Sequence, residues 1–389
     1  MIRSAVIRTS VLRSVCLGGR RLASTAVPHP PSTAVPHPPV PAAFPISASL
    51  TIGDVRGRLR QVQDAEMRQK FEIDVTATVA DAVLHLAFWR ITFACVVDLE
   101  QGGRVVGAFT ERDYLRYAVR ADASSFFSGR DASSEPVTRA MSSAERMLSV
   151  RADTTVFASL AMVQQKIWRH VPVLNDSDRL AYVIDIRDLL IQVDGGRSDQ
   201  PVGSEAGPGT ALRGVWHGKL VADILRAKRQ QKIVEGTTLE LYLRTRAATH
   251  TISNTATIEE AARQMARERL TFLCVYERLT SPKTGLSVPS WCEKNRVVGL
   301  VNERDFVRFA AEHGGLAPHA STLVRTIMTP LDKVECVSIT DTVSTCADVF
   351  FSRNVRHLPV IDGEHLFGVL SLRDILRPIL EGSGPAALS

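Results

Sequence analysis

The sequence predicts an α/β (α+β) fold made of four copies of one strand–helix–strand–strand–helix repeat, arranged as two pairs. Three observations carry this expectation. First, four segments share one design: VVGAFTERDYLRYA, LAYVIDIRDLLIQV, VVGLVNERDFVRFA and LFGVLSLRDILRPI. Each runs from an apolar strand through a glycine or its substitute to a polar tetrapeptide ending in Arg-Asp, and then into an apolar helix. Second, their aspartates, Asp113, Asp188, Asp305 and Asp374, are 75, 117 and 69 residues apart, so the duplicated unit is a pair of repeats. Third, a preceding strand reads ITFACVV and LTFLCVY in repeats one and three but WRHVPVL and VRHLPVI in two and four. Repeat one therefore matches three, and two matches four.

Taken in chain order, residues 1–23 are rich in Arg and Ser and free of Asp and Glu, the composition of a mitochondrial presequence. Residues 24–46 form a spacer in which STAVPHPP occurs twice in succession, too proline-rich to build a core. The first pair of repeats is expected over 47–195. Its first amphipathic helix, Thr78–Arg90, starts at a capping box, Thr78 with Asp81, and Thr257–Leu270 repeats that pattern with Thr257 and Glu260. Phe88 and Trp89 fall at core spacing on the first helix and are expected to pack. Residues 196–217 lie in a stretch rich in glycine and poor in apolar side chains, a linker between pairs. The second pair is expected over 218–383 and carries a longer strand connection, Glu277 to Arg296, punctuated by Pro282, Gly285 and Pro289. The charge run Arg226 to Lys232 is expected to be a solvated helix face, and 384–389 a tail. A repeat of about sixty residues cannot bury both faces of its sheet alone, so the sheets of a pair are expected to pack together.

Composition narrows the function. The 389 residues are 45% hydrophobic and 23% charged, a globular balance without a run of the ~18 apolar residues a membrane-spanning helix needs. Of the net charge of +6, five arginines before residue 50 account for most, leaving no basic field to attract nucleic acid. No P-loop, GxSxG or metal-ligand spacing occurs, so no catalysis, metal or cofactor is expected. Cys95, Cys274, Cys292, Cys336 and Cys346 form no CxxC pair; Cys95 and Cys274 sit in apolar strand runs as buried, reduced thiols.

The four Arg-Asp segments and the Arg-His-h-Pro-Val strands (h being apolar) resemble the cystathionine-β-synthase (CBS) domain, whose tandem pairs form Bateman modules. TERDYLR, VADILRAK and IMTP are similar to plant-type mitochondrial CBS-pair proteins. The resemblance implies two CBS pairs that bind adenosine nucleotides (AMP, ADP or ATP, with S-adenosylmethionine as a further ligand) in clefts between paired sheets. It also implies a homodimer of CBS modules, a thioredoxin-system or respiratory-complex partner, and a location in the mitochondrial matrix.

The chemistry of the motif fits such a ligand. The Asp113 carboxylate can accept from both hydroxyls of a ribose, Thr110 and the helix amino terminus can donate to a phosphate, and Gly107 lets a backbone approach. Arg112 completes the first site. Gly299, Asn302 and Asp305 are the counterparts in repeat three, and Gly368, Ser371, Arg373 and Asp374 in repeat four. By resemblance, Arg169-His170 and Arg356-His357 reach phosphate from the partner repeat. Repeat two departs from the pattern: Tyr182 stands for the glycine, and Asp185 would oppose a phosphate. A second explanation covers the same residues, since Thr110, Asp185, Asn302 and Ser371 are all competent helix N-caps. Two functions are therefore expected: a non-catalytic mitochondrial regulator sensing adenosine nucleotides, or a structural accessory subunit of a respiratory-chain assembly with vestigial sites.

Overall fold

The structure is a computed structural model that describes residues 51–54, 64–119, 135–165, 170–185, 189, 249–279, 295–353, 355, 357–362, 365–371 and 374. The expected presequence, spacer, linker, charge run and tail lie outside the described residues. Repeat one comprises α1 (Asp64–Phe71), β1 (Glu72–Asp74), α2 (Val79–Trp89), β2 (Phe93–Asp98), β3 (Arg104–Thr110) and α3 (Glu111–Val119). A two-residue strand, β4 (Ser142–Ser143), precedes repeat two, which has α4 (Val156–Gln165), β5 (His170–Leu174) and β6 (Leu180–Asp185). Repeat three has β7 (Thr251–Ser253), α5 (Ile258–Glu268), β8 (Phe272–Arg278), β9 (Asn295–Asn302) and α6 (Glu303–His313). After β10 (Thr329–Pro330), repeat four has α7 (Val343–Ser352), β11 (His357–Asp362) and β12 (His365–Ser371).

Both capping boxes foreseen in the sequence are formed: Thr78 caps α2 with Asp81, and Thr257 caps α5 with Glu260. Each box satisfies amide groups at a helix start that would otherwise lack partners. The sheets obey the one-to-three, two-to-four correspondence. β1 runs parallel to β2, which pairs antiparallel with β3, and β3 with β4; β7, β8, β9 and β10 repeat that order. β5–β6 and β11–β12 are antiparallel hairpins. All four hairpins slip register at one equivalent place, beside the pairs Val96–Gly107, Val173–Tyr182, Val275–Gly299 and Val360–Gly368.

The repeats of a pair exchange backbone. Residues ahead of repeat two return to repeat one: the Val79 N–H donates to Glu135 O (2.8 Å), the Val137 N–H to Ala77 O (2.8 Å), and β4 completes the first sheet. In the other direction, Ile52 N–H donates to Thr154 O and Gly53 N–H to Ala152 O. The second pair repeats the first exchange, with Ile258 N–H donating to Thr322 O, Val324 N–H to Ala256 O, and β10 added to β9. A repeat is thus no more self-contained in its backbone pairing than its size allows it to be in its core.

Sheets bury against sheets within a pair, as expected. One core brings Cys95, Val97 and Val105 of repeat one onto Val173, Leu180 and Ile184 of repeat two, and a smaller one joins Cys274 and Leu300 to Leu366. Cys95 and Cys274 are fully buried free thiols, and burial pushes both thiols up from the ordinary cysteine range. Helices bury against helices between pairs. The apolar stripes of α2, α3, α5 and α6 share one cluster, and α4 and α7 share another. The two modules therefore meet within one chain. Phe88 corrects an expectation: it is 53% exposed, while its neighbour Trp89 is partly buried against the core. Helical spacing placed both on the packed side, but α2 presents residue 88 to its outer edge.

Two of the motif glycines, Gly107 and Gly299, have a packing reason. A Cβ on Gly107 would strike the Ser142 carbonyl oxygen, and one on Gly299 would come within 2.6 Å of Thr329 O. β4 and β10 lie that close because they are edge strands hydrogen-bonded to those positions. No strand flanks Tyr182 in this way among the described residues, so a large side chain fits there. Gly299→Ala is expected to destabilise the protein by about 1–3 kcal/mol, the cost of an overpacked site. Chemical denaturation measures it; an unchanged midpoint would contradict the close approach.

Candidate functional site

Three Arg-Asp motifs are visible, and in each the cap residue and the carboxylate bond to one another. Thr110 Oγ1 donates to Asp113 Oδ2 (2.6 Å), and the Asp113 N–H donates to Thr110 Oγ1 (3.0 Å). Ser371 Oγ donates to Asp374 Oδ2 at 2.6 Å, and the Ser371 N–H to the same oxygen at 2.7 Å. Asn302 caps α6 by accepting at Oδ1 from the Arg304 and Asp305 N–H groups, and its own N–H donates to Asp305 Oδ2 at 2.9 Å. Its side-chain oxygen, not its amide, faces the helix.

The carboxylates differ in access. Asp113 is 6% exposed and accepts a further bond from Ser142 Oγ (3.0 Å), a residue of the exchanged strand β4. Asp305 is 3% exposed and accepts from Arg308 (3.0 Å). Asp374 is only half-buried. Burial raises the carboxyl of Asp113 above the ordinary carboxylate range, against the opposing hydrogen bonds from Thr110 and Ser142. Burial likewise raises Asp305 to about 6, against the Asn302 N–H and the Arg308 charge.

The two histidines sit at the seam between paired repeats. In the first module, Thr92 Oγ1 lies 3.0 Å from His170 Nδ1, the Phe93 ring stacks on His170 at 5.2 Å, and Asp185 Oδ2 is 3.5 Å from His170 Nε2. In the second, Thr271 Oγ1 lies 3.1 Å from His357 Nε2, and Phe272 packs on His357 at 4.8 Å. Strand pairing sets His170 opposite Asp185 but His357 opposite Ser371. The first histidine thus has a carboxylate of its own chain where the second has a hydroxyl.

Arg112 points to the other module: its Nε donates to Glu303 Oε1 at 2.8 Å, and Arg304 Nε donates to Glu111 Oε1 at 3.1 Å. Arg169, Arg356 and Arg373, and the Asp188 of repeat two, lie outside the described residues. Sequence reasoning missed Thr92, Thr271, Ser142, Glu111 and Glu303. A signal existed for the glutamates, because TERD and NERD carry Glu where DIRD and SLRD carry Ile186 and Leu372. Away from the motifs, a cavity of about 330 Å³ opens beside Arg104, Arg151 and Asp178, where Asp178 already accepts from both arginines. Among the described residues no group of three His, Cys, Asp or Glu could hold a metal ion, and no helix is long and apolar enough to cross a membrane.

The CBS domain family matches residues 137–195 and 324–381, so the chain carries CBS domains at repeats two and four. Both matches begin ahead of the exchanged strands β4 and β10. Repeats one and three contain the same antiparallel hairpin with the same register slip, and the fold as a whole is one of CBS repeats. Protein MJ1225 of Methanocaldococcus jannaschii superposes with a TM-score of 0.57 at 15% identity, over 84% of this chain and 99% of that one. An uncharacterized 17.7 kDa protein of Acidianus ambivalens is 28% identical over 133 residues, 34% of this chain and 68% of the relative. The mitochondrial CBS domain-containing protein CBSX3 of Arabidopsis thaliana is 28% identical over 88 residues, 23% of this chain and 42% of its own length.

The raised Asp305 carboxyl has a consequence for stability. Between the ordinary 3.8 and about 6, the folded protein holds a proton that the unfolded chain has released. Stability from this group therefore falls as pH rises across that window. Denaturation midpoints measured from pH 4 to 6.5 are expected to show this slope, and Asp305→Asn to flatten it. An identical slope in the variant would assign it to other groups.

Proposed function

We propose that the chain is a non-catalytic regulatory protein that binds an adenosine nucleotide in its second module and passes the occupancy to a protein partner. One observation supports this reading above the others: Asp374 is half-buried beside Ser371, and His357 faces that hydroxyl across the strand pair. Asp374 would accept from ribose hydroxyls. Ser371 and the amide groups after it would meet phosphate, with His357, Arg356 and Arg373 supplying donors and positive charge. Apolar side chains between the sheets, Phe272 and Leu366 among them, offer walls for a base. The nucleotide would shift the protein between arrangements only by its differential affinity for them.

Gly107, Thr110 and Asp113, with Gly299, Asn302 and Asp305, act on this reading as fold elements, since both carboxylates are closed off. In repeat two the Asp185 carboxylate occupies the side of His170 that a phosphate would need. A mitochondrial matrix location is supported by the composition of residues 1–23 and the similarity to CBSX3. A thioredoxin-system or respiratory-complex partner and a homodimer follow from the sequence resemblance. The accessory-subunit reading is favoured by the same buried carboxylates: if repeat four also failed to bind, all motifs would be caps.

Calorimetric titration of the purified protein with AMP, ADP, ATP and S-adenosylmethionine tests the proposal. Nucleotide binding is expected, and Asp374→Ala is expected to weaken it by about 1.5–3 kcal/mol, the worth of hydrogen bonds to a charged group. A lowered melting temperature with unchanged affinity would leave Asp374 as a cap alone. Removing the internal anion should create a site: Tyr182→Gly with Asp185→Ser is expected to add one bound nucleotide per chain. Unchanged stoichiometry in that variant would contradict the exclusion by Asp185.

A further inference from the structure

The modules meet through two ion pairs related by exchange of repeats one and three. Arg112 bonds Glu303, and Arg304 bonds Glu111; both glutamates are buried, Glu303 at 5% and Glu111 at 2% exposure. Each glutamate is the first residue of its helix, directly after the cap residue of its motif. Each is also tied by its backbone to the seam of its own module. The Glu303 N–H donates to Thr271 O (3.2 Å), and Thr271 Oγ1 lies against His357. The Glu111 N–H donates to Thr92 O (3.1 Å), and Thr92 Oγ1 lies against His170.

A continuous polar path therefore joins the two histidines. It runs from His357 to Thr271, through the backbone of Glu303 to its carboxylate, across to Arg112, and through the backbone of Glu111 to Thr92 and His170. The Arg304–Glu111 pair gives a second crossing between the same two helices. At the same motif position repeats two and four have Ile186 and Leu372 instead. The glutamates are buried while Arg112 is partly buried and Arg304 is nearly half exposed; removing an arginine leaves a buried carboxylate without its ion-pair partner, which is costly.

We propose that Glu111, Arg112, Glu303 and Arg304 are positioning residues that couple the two modules, so that an anion bound at His357 changes the setting of the His170–Asp185 pair. This rests on the nucleotide reading above and extends it: the second module receives the ligand, and the first, which carries its own carboxylate, reports it. An arrangement transmitted through α3 and α6 must move both glutamates together, because each is bonded to the other helix.

The test uses full-length protein labelled with 13C at histidine, the His170 ring resonance being assigned with His170→Gln. Saturating AMP is expected to shift the His170 resonance in the wild-type protein. In Arg112→Gln/Arg304→Gln, AMP still binds by calorimetry but the shift is lost, and Arg112→Lys/Arg304→Lys restores it at least in part. A His170 resonance that ignores bound AMP in the wild type, or that still moves in the Gln variant, overturns the coupling. A wild-type protein that binds no AMP overturns the nucleotide reading. The relay is then read without ligand: Thr271→Val is expected to shift the His170 resonance in the wild-type background but not in the Gln variant. Absence of that difference overturns the relay as well. Should the Gln variant fail to fold, the Thr271→Val shift in the otherwise intact chain decides, its absence being contrary to the proposal.

Discussion

The bonding between a cap residue and the aspartate three residues further on governs both the architecture and the site of this protein. A helix starting at the end of a strand leaves its first amide groups without partners; Thr110 and Asn302 accept from the Asp113 and Asp305 N–H groups, and in all three motifs the aspartate carboxylate accepts from the N–H of the cap residue. The same carboxylate is the group that a ribose would need. What decides between cap and ligand site is the remaining access to the carboxylate, and that is set from outside the motif. At Asp113 the exchanged residue Ser142 adds a bond; at Asp305 an arginine one turn along the helix does so. Asp374 keeps partial exposure.

Backbone exchange within each pair is the second constraint. β4 and β10 belong in sequence to the repeats that follow them, yet they complete the sheets of repeats one and three. This fixes the glycines, because Gly107 and Gly299 face carbonyl oxygens of those strands. It also links the ends of each pair, so that the repeats of a pair cannot separate without breaking sheet hydrogen bonds. Packing of α2, α3, α5 and α6 then joins pair to pair, with buried glutamates registering the contact.

The fold was legible because its signals are local. Four Arg-Asp segments, two capping boxes and the alternation of ITF with RH strands each specify an element from residues a few positions apart, and the strands, the two capping boxes and the motif helices of repeats one and three are found among the described residues. The exchange was not legible, since Ser142–Ser143 is two polar residues long and shows no periodicity. Site access was hidden for a related reason: Ser142 lies 29 residues from Asp113, and no spacing rule connects them. Arg112 read as a phosphate donor because it adjoins Asp113, whereas its partner Glu303 is 191 residues away. The contrast of TERD and NERD with DIRD and SLRD did carry that information, as a difference between repeats that a search for shared features passes over. Phe88 shows the limit of helical periodicity, which finds a face but not where that face ends.

The account turns on where a nucleotide sits. Crystals of the protein grown with AMP give the most direct answer. The structure is expected to show the ribose within hydrogen-bonding distance of Asp374, phosphate near Ser371 and His357, and the His170–Asp185 pair holding the corresponding place in the first module. Nucleotide bound against Asp185, or bound in the second module without contact to Asp374, would contradict it.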